Sequence, residues 1–222
     1  MIPSDLSRRN SGFTLIELVA VIGLVVLLAG GVGLAFERGA GRGVALQSAQ
    51  AEMAALLQAA RSRAVLRQAP VRLFVAAEPP PGGDSARYLR GLRIAGEEPV
   101  GSGRWVSTTE PVSLPRETFV VPPVVAANLL APGATWPTGA GAPLSTLLGP
   151  TEVLVDGVSE KSLYLEFEAD GDVDSSTSQI ALITGVQPSP QLSPVFNDPA
   201  GARGIRLRRS GSIGLINAAG DF

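Results

Sequence analysis

The apolar run at residues 13–36 constrains the fold of this chain more than any other feature, and its one charged residue is Glu17. As a helix the run would extend about 36 Å, enough to cross a hydrocarbon core of about 30 Å. A carboxylate inside such a segment costs several kcal/mol unless it is paired. The sequence therefore predicts a membrane-spanning helix whose carboxylate needs a partner.

The flanking charges predict how this helix is oriented. Arg8 and Arg9 precede the run and only Asp5 opposes them. Because basic residues favour the cytoplasmic side, we expect a short cytoplasmic N-terminus with everything after Phe36 exported.

A secretory signal peptide is the alternative interpretation, since it also combines a basic start with an apolar stretch. Cleavage after Ala35 would then release an ordinary secreted β-rich protein that begins near Phe36. The run is longer than the apolar part of a typical signal peptide, and Glu17 lies near its start. Both features count against this alternative.

The segment Ser11-Gly12-Phe13-Thr14-Leu15-Ile16-Glu17-Leu18 resembles the N-terminal signature of type IV prepilins and pseudopilins. The resemblance implies that a prepilin peptidase cuts between Gly12 and Phe13, removes the leader 1–12 and methylates the new amine of Phe13. It also implies a single-pass protein of the bacterial inner membrane with its globular domain in the periplasm. The implied partners are other pilins or pseudopilins, bound through the N-terminal helix, and an inner-membrane assembly platform.

Elementary electrostatics suggests what Glu17 does after such a cleavage. The methylated amine of Phe13 stays cationic, and Glu17 lies one helical turn away on the same face. The helix N-terminus also favours an anion there. The amine of a neighbouring subunit is the better partner, because two charges about 4 Å apart attract by about 4 kcal/mol at an effective dielectric near 20. In the alternative, Glu17 only snorkels to the headgroups and assembly does not depend on it.

Composition excludes several kinds of active site. The 222-residue chain has no Cys and no His, so disulfides and His-dependent triads are impossible. Ser210-Gly211-Ser212-Ile213-Gly214 is the nearest approach to a nucleophile elbow, and it lacks the first glycine. Glu166 and Glu168 are predicted on one strand face, a spacing that chance readily produces. We expect no enzyme and no cofactor.

Residues 37–69 are predicted to form an amphipathic helix that continues the membrane helix into one spine. Its apolar positions are Leu46, Ala49, Met53, Leu56, Ala60 and Ala64, with polar residues, Gln50 among them, largely elsewhere. Gly39, Gly41 and Gly43 precede it and predict a flexible linker or a helix bend rather than a phosphate loop.

Pro70 should end this helix, and short strands follow in a β-rich domain, 70–222. The predicted strands are 71–77, 88–94, 104–107, 118–121, 152–155, 162–167, 180–184, 204–208 and 212–216. Loops at 79–84, 131–143 and 188–201 are the longest, and the last two are expected to be surface features or partly disordered. The fold class is therefore α+β, a long N-terminal helix packed on an antiparallel β domain, as in pilins.

The globular part resembles, more weakly, the H-type minor pseudopilins of the type II secretion system and the related FimT-like minor pilins. The resemblance is carried by scattered features: Ala59-Ala60-Arg61-Ser62-Arg63-Ala64, Trp105, Leu114-Pro115, 165–171 and a closing hairpin at 205–216. The long insertion between Pro122 and Pro150 departs from the pattern.

Asp170, Asp172 and Asp174 alternate like the start of a calcium loop. The glycine and the acidic residue that such a loop needs are replaced by Ser175 and Ala181. A tight hairpin turn at Asp170-Gly171 is the favoured interpretation.

The arginines of 203–209 suggest a second kind of site. The alternation through Arg206 and Arg208 predicts that they share one strand face, with Arg203 and Arg209 nearby. Such a face could bind DNA phosphates, as the resemblance to FimT-like pilins implies. A solvated face is favoured, because the net charge of −2 gives no bulk attraction to nucleic acid.

The leading hypothesis is a minor pseudopilin of a type II secretion system that exports proteins. The alternative is a FimT-like minor type IV pilin that binds DNA for uptake or primes pilus assembly.

Overall fold

The computed structural model describes residues 15–78, 87–173, 177–188, 193–196 and 198–222. The predicted cleavage site, Gly12 and Phe13, lies outside the described residues, as does Asp174 of the possible calcium loop. Before Gly43, side chains are described only at Val19, Val21 and Ile22. The chain divides into two compact units, Met1–Gly41 and Arg42–Phe222.

Helix α1 spans Leu15–Arg67. Its backbone is helical through Gly39, Gly41 and Gly43, so these residues form a helix and not a coil linker; a helix bend there stays a prediction. A glycine lowers helix stability by about 1 kcal/mol relative to alanine but still donates its backbone hydrogen bond. Three spaced glycines therefore weaken the helix without interrupting it.

The helix buries one stripe of its surface within the second unit. The buried positions are Leu46, Ala49, Met53, Leu57, Ala60 and Ala64. The predicted Leu56 is half-buried and packs against the same core, whereas Leu57, which was not predicted, is fully buried. The stripe follows steps of three and four residues, and a step of four from Met53 reaches Leu57.

Helix α1 ends in a Schellman motif just before Pro70. Gln68 adopts a left-handed backbone with φ of 51°. Its N–H donates to the carbonyl of Val65, and the N–H of Ala69 donates to that of Ala64. The turn satisfies two of the last helical carbonyls and directs the chain into the first strand.

Eleven strands follow among the described residues. They are β1 Val71–Ala76, β2 Gly91–Glu97, β3 Arg104–Ser107, β4 Val112–Ser113, β5 Thr118–Val120, β6 Leu148–Val155, β7 Val158–Phe167, β8 Thr177–Val186, β9 Val195–Phe196, β10 Arg203–Arg208 and β11 Ile213–Ile216. Each of the nine predicted strands overlaps one of these. The two-residue strands β4 and β9 were not predicted, because so short a run has no periodicity to detect.

The first sheet closes on itself. Its order is β1-β7-β6-β3-β2-β4, and β1 also pairs with β2. Strands β1, β7, β6, β3 and β2 therefore form a closed ring, which we call the ring. Its pairs are antiparallel except β3 with β6, which run parallel.

The second sheet has the order β11-β10-β8-β5, with β9 also paired to β8. Its inner face packs on the buried stripe of α1 together with one face of β1, β2 and β7. Ile180, Leu182, Ile205 and Leu207 contribute to this main core from the second sheet. The predicted α+β class, with the helix on an antiparallel-rich β domain, is confirmed.

The insertion between Pro122 and Pro150 packs on the domain near its two ends, whereas residues 131–141 are largely exposed, as the predicted surface loop requires. Leu129 and Leu147 are buried in it. The Ser145 hydroxyl accepts a hydrogen bond from the N–H of Ala181 at 3.0 Å, and Thr146 N donates to the carbonyl of Gln179 at 2.8 Å. The end of the insertion therefore lies along β8.

Candidate assembly segment and arginine strand

The candidate assembly segment is the start of helix α1. Glu17 lies in the first turn of the described helix, and its side chain lies outside what the structure describes. Val19, Val21 and Ile22 each expose more than half of their surface. Within the described residues, no helical stretch is both long and apolar enough to cross a membrane.

The arginine strand is β10. Ile205 and Leu207 are fully buried, whereas Arg206 is half-buried and Arg208 is exposed, so the predicted alternation is present. Arg209 is also exposed, in the turn that leads to β11. Arg208 and Arg209 make no side-chain hydrogen bond or ion pair with any described residue.

Arg206 differs from its neighbours because its guanidinium is already engaged. Its Nη2 donates a hydrogen bond to the backbone carbonyl of Asp221. Asp221 ends a short 3-10 helix, Ala219–Asp221, that follows β11. The structure therefore separates Arg206, whose side chain is engaged, from Arg208 and Arg209, whose side chains face solvent.

The acidic segment at Asp170 forms a tight turn, as predicted. The N–H of Gly171 donates to the carbonyl of Glu168 at 2.8 Å, and Asp170 Oδ1 accepts from the N–H of Asp172 at 3.0 Å. The turn closes an isolated antiparallel bridge between Phe167 and Val173. The longer hairpin predicted across it is wrong, because β7 belongs to the ring and β8 to the second sheet. Alternation in sequence predicts neighbouring strands but not a change of sheet.

Arg61 of α1 lies against two glycine turns that only the fold brings together. Its Nε donates to the carbonyl of Gly171 at 3.3 Å. Gly211 has φ of 69°, and a Cβ placed there would lie 2.6 Å from Arg61 Nε and 2.5 Å from the Gly171 carbonyl. Glycine at 211 is therefore required by both the backbone angle and the space.

A stacked arginine lies inside the ring and was not predicted. The Arg72 guanidinium carbon lies 4.1 Å from the ring centroid of Trp105 and 4.0 Å from that of Tyr164. Arg72 Nε also pairs with the Glu166 carboxylate. Glu166 and Glu168 therefore do not form a free carboxylate pair. The alternation of β1 placed Arg72 on the face opposite Leu73, but closure of the ring is what buries that face.

Gln50 was predicted on the polar side of the helix, and this is wrong because it is 2% exposed. Its Nε2 donates to the carbonyl of Gly204 at 2.7 Å and to that of Ile216 at 2.9 Å. These two carbonyls belong to the paired strands β10 and β11. A buried amide is tolerated here because both of its N–H groups have acceptors.

Two carboxylates at the ends of ring strands are held in their charged form. Hydrogen bonds from the side chain and backbone of Ser107 lower the pKa of Asp156, which Arg93 lowers further. Backbone N–H groups of Gly101 and Gly103 lower the pKa of Glu97. Both carboxylates are therefore fixed as hydrogen-bond acceptors that order turns.

A cavity of about 430 Å³ is lined mainly by residues of the ring strands. Phe74 and Leu92 contribute apolar surface, and the charged lining is balanced between Arg87, Arg93, Lys161 and Glu78, Glu152, Glu160. Three positive and three negative side chains give it no net preference for a charged ligand. Among the described residues, no group of three or more carboxylates is arranged to hold a metal ion.

Comparison with known proteins identifies the N-terminal segment. The model of the prokaryotic N-terminal methylation motif matches residues 7–33. No protein with a curated description matches the sequence significantly.

Two solved structures show limited similarity to this chain. The type IV minor pilin FimU of Pseudomonas aeruginosa PAO1 is 19% identical with a TM-score of 0.40, covering 77% of this chain and 87% of FimU. The minor pseudopilin EpsH of Vibrio cholerae is 12% identical with a TM-score of 0.38, covering 78% of this chain and 94% of EpsH. The match to the methylation motif confirms the predicted prepilin signature at the N-terminus.

Proposed function

We propose that this chain is a minor pseudopilin, a structural subunit of a type II secretion pseudopilus assembled from the inner membrane. The observation that carries the proposal is the methylation motif at 7–33, followed by a helix that leads into an α+β domain. The chain then acts by assembly and not by catalysis.

In this proposal each part of the chain has its own task. The leader 1–12 is removed by the prepilin peptidase, and the segment 13–36 anchors the subunit in the inner membrane and later joins the helices of the fibre. The helix 37–69 connects it to the domain 70–222, which faces the periplasm. An inner-membrane platform extracts the subunit from the bilayer.

Glu17 is the residue on which assembly depends in this scheme. Cleavage after Gly12 creates an amine at Phe13, and the amine of a neighbouring subunit neutralises Glu17 within the helix bundle. The attraction of about 4 kcal/mol at an effective dielectric near 20 is comparable to the insertion cost of the carboxylate. A monomer in the bilayer lacks this intersubunit pair, so the fibre is favoured.

Mass spectrometry of the mature N-terminus tests the processing step. We expect a chain that begins at Phe13 and carries one methyl group on its amine. Gly12→Val should leave the leader attached, whereas Glu17→Leu should be cleaved normally but enter the fibre poorly. A mature chain that begins near Phe36 would instead identify a secreted protein.

Deletion of the gene distinguishes a role in type II secretion from a role in a type IV pilus. Loss of protein export with intact pili is the result expected for a type II secretion subunit. Loss of pili or of DNA uptake, with normal export, would replace the proposal by the minor-pilin alternative.

The alternative of a DNA-binding minor pilin is favoured by one observation, the two exposed arginines Arg208 and Arg209 beside β11. Binding through phosphate contacts would weaken steeply with salt. Salt-dependent binding of a DNA duplex that falls on substitution of Arg208 and Arg209 by alanine would support this alternative. Nucleic acid remains an unexpected partner for a chain of net charge −2.

A further inference from the structure

Residues 217–222 turn back across the second sheet after β11 ends at Ile216. The 3-10 helix Ala219–Asp221 lies against a second short 3-10 helix, Pro199–Gly201, which precedes β10. The segment thus returns to β10, the strand that carries the arginines.

One attachment of this segment is the hydrogen bond from Arg206 to the carbonyl of Asp221. Its donor is a charged guanidinium, and charge-assisted hydrogen bonds are stronger than neutral ones. Arg208, two residues along the same strand, is exposed and makes no such bond with a described residue. Arg206 therefore engages the segment because of its place on β10, since Arg208 on the same strand makes no such contact.

The second attachment is the ring of Phe222, which packs against the main core. It lies over Gly204 of β10. A Cβ at position 204 would come within 2.7 Å of Phe222 Cζ and 2.5 Å of the Ile180 carbonyl. The absence of a side chain at Gly204 is thus what allows the aromatic ring to approach the strand.

The strand backbone that Phe222 covers is also hydrogen-bonded by a side chain of helix α1. Gln50 donates to the carbonyls of Gly204 and Ile216, which lie on β10 and at the end of β11. The position that Phe222 covers is therefore tied to helix α1 through one buried amide.

We propose that residues 219–222 form an intramolecular strap that occupies the arginine strand. The strap engages Arg206, covers Gly204 and holds the β10–β11 hairpin in place. With the strap closed, β10 presents Arg208 to solvent but withholds Arg206 from anionic ligands. The strap is a feature of this domain whichever machine the subunit serves.

A double-mutant cycle on the full chain in detergent micelles tests the strap. Arg206→Ala and Phe222→Ala are made singly and together, and the thermal midpoint of unfolding is measured. Each single change should lower the midpoint by about 3–6 °C. Because both act on one strap, the double variant should lose clearly less than the sum of the two. Arg208→Ala is the matched control and should leave the midpoint unchanged.

A second measurement asks whether the strap masks Arg206. The probe is a 20-base-pair DNA duplex at low salt. In the intact chain, Arg206→Ala should not change the affinity. In a variant lacking 219–222, Arg206→Ala should weaken it several-fold, because the freed guanidinium then contacts phosphate.

Three results would overturn the proposal. They are additive losses in the cycle, a midpoint unaffected by either change, and a contribution of Arg206 to DNA affinity in the intact chain. Removal of 219–222 without any newly Arg206-dependent binding would overturn the masking role.

Discussion

The ring and the second sheet belong to one domain but bury their surfaces by different means. The ring encloses Phe74 and Trp105 together with charged side chains, of which Arg72 pairs with Glu166 and Arg93 with Glu160 at 3.4 Å. The second sheet buries aliphatic and aromatic side chains against α1 and against the insertion before β6. Charges can be enclosed in the ring because each of these cations has a carboxylate partner.

The first prediction tests the apolar side of this comparison. Phe119 of β5 is 1% exposed and packs beside Phe196 at 6.3 Å between ring centroids. Phe119→Ala should lower the free energy of unfolding by about 3–4 kcal/mol, measured by denaturant titration. The conservative Phe119→Leu should lose less than half as much. Equal losses for both variants would mean that the cavity is not what destabilises the sheet.

The second prediction tests the paired charges of the ring. Glu166→Leu leaves the Arg72 guanidinium between two aromatic rings without its carboxylate and should cost about 2 kcal/mol of unfolding free energy, below the value for a fully buried pair. Glu98→Leu breaks a more exposed pair with Arg67, at 3.2 Å, and should cost under about 0.5 kcal/mol.

A double variant sharpens that result. Arg72→Leu combined with Glu166→Leu removes both charges and should be more stable than Glu166→Leu alone. A double variant that is less stable than the single would show that stacking of Arg72 on Trp105 and Tyr164 outweighs its need for a counter-charge.

The third prediction concerns Gln50, a buried polar group in the contact between α1 and the second sheet. Gln50→Leu leaves the carbonyls of Gly204 and Ile216 without this donor and should cost about 1–2 kcal/mol. Hydrogen exchange should accelerate in β10 and β11 more than in the ring. Gln47→Leu, at an exposed position on the same helix, is the control and should change neither quantity.

The smallest expected effect is the acid sensitivity of the ring. The pKa of Asp156 is lowered from 3.8 in the folded state, so its charged form stabilises the fold. This contribution is present above the ordinary pKa and is lost as the pH falls below 3.8 toward the folded value. Asp156→Asn should flatten the decline of stability in that range. If the stability of Asp156→Asn declined with falling pH as steeply as that of the unmodified protein, the charged form of Asp156 would not be stabilising the fold.

Periodicity predicted much of the domain correctly for a physical reason. Helical steps of three and four placed Leu46, Ala49 and Met53 on one buried stripe, and alternation placed Ile205 and Leu207 on the inner face of a strand. Burial of one face leaves a regular trace in the sequence. Leu57 was not predicted because Leu56 beside it is equally apolar and fits the same helical spacing. Gln50 was assigned to the polar face because the sequence does not show that buried acceptors await its amide.

The sequence by itself determined the N-terminal methylation motif, since the motif is local and its match covers 7–33. It also determined the α+β class, because apolar residues recur with helical spacing in the helix and alternate with polar residues in most strands. Only the tertiary structure decided that β1, β7, β6, β3 and β2 close into a ring, that β7 and β8 part into different sheets, and that Asp221 engages Arg206. These depend on contacts between residues far apart in sequence, which leave no local pattern.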